Sequence, residues 1–141
     1  MNEDQTLSAL VGWTRANHML RLFEYYRDQR INDQGERVPD ITMIQDNDGI
    51  CLFLWQACLY SVMEFLYDRK FLPNNLIEQF EPIRYQLKEF RNCVFHIQDV
   101  FLDPRQDKLF AVEDGIAITR HIHEEVGSFL ESKLKEFKDR G

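Results

Sequence analysis

Residues 91–96 read R-N-C-V-F-H and hold the side chains of this chain that best suit chemistry on a phosphate. Arg91 supplies a guanidinium that stays charged at physiological pH and can bind two phosphate oxygens at once. His96 supplies the side chain whose unperturbed pKa suits proton transfer near neutral pH. Asn92 adds a carboxamide. If the three share a cleft, they can bind or cut a phosphodiester without a metal. If they do not, they are polar residues on a solvated helix face.

The composition indicates one globular domain. The chain has 141 residues, with 44% apolar and 13% aromatic side chains, which is enough to form a hydrophobic core and argues against disorder. We therefore expect a single domain over residues 1–141. No apolar run approaches the length of about 18 residues that a membrane helix needs, and the polar start does not resemble a signal peptide. Three cysteines without a C-x-x-C pair favour reduced thiols. The expected location is the cytoplasm, without a membrane segment.

The charge distribution singles out the same region. The formal net charge of -7 works against nonspecific binding to nucleic acid, because such binding relies on neutralising phosphates. Residues 84–108, however, carry five basic and four acidic side chains, a net charge of +1, while the rest of the chain is acidic. The six-residue motif therefore lies in the one segment that does not repel a polyanion.

The periodicity of apolar residues predicts an all-α, up-down bundle of four long helices. The predicted helices are residues 6–30, 49–71, 75–97 and 115–138. Asn75 and Glu78 have the spacing of a capping box at the start of the third helix, and Pro82 predicts a kink or a new start within it. The loop 98–114 leaves room for a short fifth helix or for an extended piece at 108–112.

The predicted core faces differ in clarity. The third helix has a clean stripe at Ile83, Leu87, Phe90, Val94 and Ile97. The first helix shows a stripe at Leu7, Leu10 and Val11, which is widened further along by Trp13, Leu20, Phe23 and Tyr26. The inward residues predicted for the fourth helix are Ile118, Ile122, Val126, Phe129, Leu130, Leu134 and Phe137. The second helix is apolar almost all round, so we expect it to be central to the bundle or to cover a subunit contact as well.

The helical geometry separates the motif residues. With Phe90 at the centre of the core face and 100° per residue, Arg91 lies at about 100°, Asn92 at about 200° and His96 at about 240°. Asn92 and His96 are four residues apart and can touch. Arg91 and His96 are about 140° apart and cannot readily meet on one straight helix. A joint site therefore needs a distorted helix end or a second protomer, and the outward aromatic Phe95 favours a subunit interface.

The motif resembles that of the HEPN domain superfamily. The spacing R-N-x-x-x-H, at the end of the third helix of an all-α bundle, is matched here by Arg91, Asn92 and His96. The resemblance implies a homodimer whose two motifs face each other and, in many members, a metal-independent endoribonuclease without a cofactor. There His96 would transfer a proton as the ribose 2′-OH attacks phosphorus, and Arg91 would hold the phosphate. Asn92 would orient either of them.

Two further residues are predicted to support the motif. Many HEPN proteins place a polar residue on the second helix near the motif, and Glu64, isolated among apolar residues, is the candidate here. It would fix the histidine or the arginine; alternatively it forms an ordinary salt bridge, since a buried carboxylate needs a partner. Lys88 lies on the same outer face as Asn92 and would add a positive charge.

The resemblance leaves other functions open. One toxin branch of the superfamily continues the motif as H-x-Y, with a tyrosine that a partner antitoxin modifies, whereas this chain has Gln98 at that position. Other HEPN-like proteins bind nucleotides or dimerise without catalysis. The alternative prediction is therefore a non-catalytic helical dimer that serves as a nucleotide- or protein-binding module. For the nuclease and for the binding module alike, the predicted protein partner is an antitoxin or a regulatory protein.

A metal site is not predicted. The run from His121 to Glu125 has only a superficial similarity to the zinc-binding pattern H-E-x-x-H, because Gly127 stands where the second histidine belongs. His121 and His123 are two residues apart and point to different sides of a helix.

Overall fold

A computed structural model describes residues 1–29, 35, 47–95 and 114–140. These ranges contain four helices and no strand: α1 (Glu3–Asp28), α2 (Asn47–Asp68), α3 (Asn74–Phe95) and α4 (Gly115–Lys138). α1 packs on α2 and α4, and α3 packs on the same two helices. Neighbouring helices in the bundle are antiparallel. The predicted all-α bundle is confirmed, whereas the expectations for residues 96–113 lie outside the described residues.

α1 begins earlier than the sequence predicted, and a capping box at Asn2 sets its start. The side-chain oxygen of Asn2 accepts a hydrogen bond from the backbone N–H of Gln5 at 2.9 Å, and the Gln5 side chain accepts one from the backbone N–H of Asn2 at 2.9 Å. This reciprocal capping box satisfies two of the orphan donors of the first turn. The helix therefore begins at Glu3 rather than near residue 6.

The predicted inward stripe of α1 is only partly right. Leu7 and Val11 are 40% and 51% exposed, whereas Leu20 is buried and Leu10, Trp13 and Phe23 pack against the core. The other buried positions are Thr6, Ala9 and Ala16. The reason is that α1 approaches α2 closely through small side chains, so that a Cβ added at Gly12 would lie 2.9 Å from Val62 Cγ2. A pattern based on hydrophobicity favours leucine and valine over alanine, but here the small residues face the neighbouring helix.

α2 contributes more buried residues than any other described helix. Its fully buried side chains include Leu52, Trp55, Leu59, Met63 and Leu66. Gly49–Asp68 is long and apolar enough to cross a membrane by length and composition, but most of it is buried against the other helices. A helix that is buried on most sides is apolar all round, so packing within the bundle accounts for the composition of α2.

The end of α2 has an unusual residue. The N–H of Phe71 donates to the carbonyl of Leu66 at 2.9 Å, and the N–H of Lys70 donates to that of Tyr67 at 2.9 Å. These two bonds form a Schellman motif, whose left-handed position usually holds glycine. Lys70 occupies that position with φ of 58°. A side chain there costs about 1 kcal/mol, because its Cβ crowds the following carbonyl.

α3 confirms most of the predicted core stripe and corrects its start. Ile83, Leu87 and Phe90 are buried, Val94 is half-buried, and the helix continues through Pro82. Ile97 lies outside the described residues. The predicted capping box is wrong, because Asn75 lies inside the helix and its Nδ2 donates to Glu125 Oε2 of α4 at 3.2 Å.

α4 has the predicted bounds, and Ile122, Val126 and Leu130 are buried as expected. The buried face also includes Gly115, Thr119, His123 and Gly127. Phe129 and Ile118 are only half-buried. The buried face is therefore turned slightly from the predicted one, toward the side on which His123 packs against α1 and α2.

Candidate functional site

The described part of the motif forms the last turn of α3. Arg91 and Asn92 are half-buried, and Cys93 is buried and points inward. Phe95, the last residue of the helix, is 50% exposed. His96 lies outside the described residues. The structure therefore gives the surroundings of the arginine and the asparagine of the motif.

Arg91 is held by two residues of α2. Its Nη2 atom lies 3.4 Å from both carboxylate oxygens of Glu64. Its guanidinium carbon lies 5.2 Å from the centre of the Tyr60 ring, within cation–π range. The Tyr60 hydroxyl donates to Glu64 Oε1 at 3.0 Å. Glu64, Tyr60 and Arg91 thus form one cluster, hereafter the arginine cluster.

The electrostatics of the arginine cluster keep Tyr60 protonated. Burial, the hydrogen bond to Glu64 and the charge of Glu64 raise the pKa of Tyr60 to about 12, and the positive charge of Arg91 opposes this rise. Tyr60 is therefore a neutral hydrogen-bond donor at physiological pH. It fixes the carboxylate of Glu64 and is unsuited to act as a base.

The arginine cluster orients Arg91 without using up its donors. The ion pair is long, and the side chains of Arg91 and Glu64 are 25% and 32% exposed. Exposed pairs of this kind contribute at most about 1 kcal/mol. Arg91 Nε is buried and has no hydrogen-bond acceptor among the described residues. The guanidinium is therefore positioned by α2 while part of its hydrogen-bonding capacity remains unused.

A similar arrangement occurs one heptad earlier on α3. The guanidinium carbon of Arg84 lies 4.3 Å from the centre of the Tyr67 ring, and its Nη2 lies 3.7 Å from Asp68 Oδ1. The Tyr67 hydroxyl donates to Glu81. Two arginines of α3 thus rest on tyrosines of α2 beside a carboxylate. Arg84 therefore provides a comparison for Arg91, because it makes the same kind of contact outside the motif.

The outer face of α3 carries two exposed aromatic residues. Tyr85 is 64% exposed and Phe95 is 50% exposed. The spacing places Lys88 and Asn92 between them on the same side of the helix. Lys88 is exposed, as expected for a residue of this face. Sequence reasoning identified Phe95 but missed Tyr85, although its spacing of seven residues from Asn92 gives the signal.

A second polar cluster lies inside the bundle. The Trp55 indole donates to His123 Nδ1 at 3.3 Å, and Nε2 of the same ring is 3.2 Å from Asn17 Oδ1. Because Nδ1 accepts, Nε2 must carry the proton and donate to Asn17. Trp13 stacks on the imidazole, with ring centres 5.1 Å apart, and donates to the His123 carbonyl at 2.8 Å. His123 is 1% exposed. From the sequence, His123 was considered only as a metal ligand.

The geometry of His123 favours a structural role. Both ring nitrogens are engaged, and burial, with Arg21 and Arg120 nearby, lowers the pKa of His123 to about 4. Among the residues that the structure describes, no group of three or more His, Cys, Asp or Glu side chains has the arrangement of a metal site. His123 therefore joins three helices as a neutral hydrogen-bonded ring.

This cluster predicts a stability that falls as the pH is lowered. An unfolded histidine binds a proton below its ordinary pKa of 6.5, whereas folded His123 resists protonation until about pH 4. Between these values the unfolded state binds more protons, so stability decreases toward acid. We expect the titration of His123 to lower the free energy of unfolding by about 3 kcal/mol as the pH falls to 4. Urea unfolding at pH 7 and at pH 4.5 measures it.

Two variants separate this effect from the titration of carboxylates. His123→Gln keeps a donor and an acceptor in the side chain, so that its stability should change less between the two pH values. His121→Gln removes an exposed histidine that pairs with Glu125 at 3.3 Å, and it should retain the dependence of the parent chain. An unchanged dependence in His123→Gln would show that the acid sensitivity comes from other groups.

Comparison of the chain with protein-family models, with curated proteins and with solved structures gives no match. The arginine cluster and the outer face of α3 are therefore the features from which a function can be inferred.

Proposed function

We propose that this protein is a metal-independent endoribonuclease of the HEPN type that acts as a homodimer in the cytoplasm. The observation that carries the proposal is the arginine cluster. Near the end of α3, five residues before the histidine of R-N-x-x-x-H, Glu64 and Tyr60 hold Arg91 in place while its side chain stays 25% exposed. Such an arginine is ready to receive a phosphate.

In this mechanism each residue has a separate role. Arg91 binds the scissile phosphate and stabilises the negative charge that develops on its oxygens. His96 transfers a proton while the ribose 2′-OH attacks phosphorus, so that the 5′-oxygen leaves and a cyclic phosphate remains. Asn92 orients His96 or the phosphate. Glu64 acts on Arg91 alone and is a positioning residue. Lys88 adds a positive charge on the same face of the helix.

The outer face of α3 supports a dimer of this kind. Two exposed aromatic side chains, Tyr85 and Phe95, flank Asn92 on one side of the helix. Aromatic residues are enriched in protein interfaces, and pairing this face with a second copy would bring two motifs together. The second copy would then supply the histidine that one straight helix cannot bring to its own arginine.

The dimer predicts a specific effect of one substitution. Phe95→Glu places a charge within the proposed contact and should convert a dimer into a monomer at micromolar concentration, as measured by light scattering coupled to gel filtration. Tyr25→Glu is the matched control, because Tyr25 is a 59% exposed aromatic residue on α1 and its replacement should leave the dimer intact. A parent chain that is already monomeric at this concentration would contradict the proposal.

The activity is tested by incubating the purified protein with RNA in the presence of EDTA. Cleavage that yields a cyclic phosphate and a 5′-hydroxyl is expected. Retention of that cleavage in both Arg91→Ala and His96→Ala would overturn the assignment of the site.

A second candidate function is a non-catalytic helical dimer that binds a nucleotide or a regulatory protein, such as an antitoxin. The observation in its favour is the similar contact at Arg84, which rests on Tyr67 beside Asp68 without the rest of the motif. By this interpretation Arg91 stabilises the contact between α2 and α3 and nothing more. A dimer that does not cleave RNA, but dissociates in Phe95→Glu, would favour this function.

A further inference from the structure

A cavity lies at the end of the bundle remote from the arginine cluster. It has a volume of about 230 Å³ and lies where α2 ends and where the last turns of α4 pass. From the start of α3 beside this cavity to Arg91 the helix rises by about 25 Å. The residues at this end are therefore independent of the proposed nuclease site. We refer to the cavity as the basal pocket.

The basal pocket combines cations with aromatic rings. Its lining includes Lys70, Lys133 and Arg140 together with Phe71, Phe129 and Phe137. Glu136 is the acidic residue of the lining and already binds Lys133 Nζ, at 2.9 and 3.1 Å. Among the described residues, Lys70 and Arg140 have no ion-pair partner. In a chain with a net charge of -7, two cations without an ion-pair partner in the described part of the structure thus line one cavity.

The backbone of Lys70 is a second, independent observation. This residue has φ of 58° at the Schellman position of α2, where glycine is favoured. The two hydrogen bonds of the motif are made by backbone atoms and do not need a lysine side chain. Strained residues concentrate at functional sites, where a side chain is needed at that place. Lys70 is such a strained residue, and its side chain is one of the cations that line the basal pocket.

We propose that the basal pocket binds a small aromatic compound that carries a phosphate monoester. Lys70 and Arg140 would bind the phosphate oxygens, since lysine and arginine are the usual phosphate ligands. The three phenylalanines would contact an aromatic ring, which gains from apolar burial and from ring–ring contacts.

Phenyl phosphate is the smallest probe of this chemistry, and isothermal titration calorimetry measures its affinity. It should bind at least tenfold more tightly than phenol, which lacks the anion, and than inorganic phosphate, which lacks the ring. Equal affinity for phenyl phosphate and either fragment would overturn the proposal. AMP and O-phosphotyrosine also combine an aromatic ring with a phosphate monoester. The one that binds more tightly indicates whether the ligand of the pocket is a nucleotide or a phosphorylated side chain.

Lys70→Gly separates ligand binding from folding. It removes one cation and the strained side chain, so it should raise the melting temperature while weakening the binding of phenyl phosphate at least tenfold. Asp114→Gly is the matched control, because Asp114 also has a left-handed backbone, with φ of 56°, but lies at the start of α4. It should raise the melting temperature and leave binding unchanged.

Arg140→Ala tests the second cation at an exposed position and should weaken binding to a similar degree. Unchanged affinity in both Lys70→Gly and Arg140→Ala would overturn the proposal. RNA cleavage is measured on the same variants and should be unaffected, so that failure of the basal pocket and failure of the proposed nuclease activity are distinguishable.

Discussion

Replacing Arg91 by alanine should lower metal-independent RNA cleavage by about a hundredfold or more, which is the usual effect of removing a group that stabilises transition-state charge. The guanidinium is held by Glu64 and Tyr60 at the end of α3, so its position is set before RNA binds. Removing it takes away both the phosphate contact and this preorganisation. The rate is measured with a labelled RNA in EDTA at saturating protein concentration.

Arg84→Ala is the matched control for this prediction. Arg84 also rests on a tyrosine of α2 and approaches a carboxylate, Asp68, so that its loss perturbs the contact between α2 and α3 in a similar way. We expect Arg84→Ala to retain the parent rate, and circular dichroism should show both variants folded. Equal losses of activity in the two variants would mean that Arg91 serves packing rather than catalysis.

Glu64→Gln refines the same experiment. The amide keeps an acceptor for Tyr60 but removes the charge that attracts Arg91. If Glu64 only positions the guanidinium, the rate should fall less than in Arg91→Ala. In the double variant the two effects should not add, because residues that act as a unit are not additive.

Gly127→Ala should destabilise the fold by about 3 kcal/mol, the upper part of the usual range for overpacking. A Cβ at this position would overlap with Trp13 Cζ2 and would lie 2.6 Å from Trp13 Cε2. Trp13 cannot readily move away, because its indole stacks on His123 and donates to the His123 carbonyl at 2.8 Å. Urea unfolding at neutral pH measures the loss.

Gly12→Ala provides the comparison. It adds the same methyl group to a helix and gains the same helix propensity of about 1 kcal/mol, but its nearest neighbour is the methyl group Val62 Cγ2 at 2.9 Å. We expect it to destabilise the fold much less than Gly127→Ala. Trp13→Leu in the Gly127→Ala chain should recover part of the loss, and a Gly127→Ala chain as stable as the parent would contradict this account of the packing.

The sequence was sufficient to predict the helices. Within the described residues, their number, the bounds of α4 and the buried positions Ile83, Leu87 and Phe90 follow from apolar periodicity, which burial on one face imposes. The same reasoning failed for the first turns of α1, where Leu7 and Val11 are exposed. Periodicity cannot tell which of two apolar faces meets the neighbouring helix when small residues allow closer packing on the other.

The candidate site was only partly predictable. Arg91, Asn92 and His96 were recognised as a motif, and Glu64 as a polar residue that needs a partner. The role of Tyr60 was missed, because an interior tyrosine in an apolar helix gives no signal until the facing helix brings an arginine over its ring. His123 was missed for the same reason, since its partners Asn17 and Trp55 come from two other helices.

By itself, the sequence determined the all-α bundle, the approximate extent of each helix and the motif at the end of α3, because these depend on residues that are close together in the chain. Only the tertiary structure decided the pairing of Arg91 with Glu64 and Tyr60, the enclosure of His123 and the joining of cations and phenylalanines in the basal pocket. Each of these depends on the rotation and register with which helices pack, and those are set by side-chain fit between segments far apart in the chain.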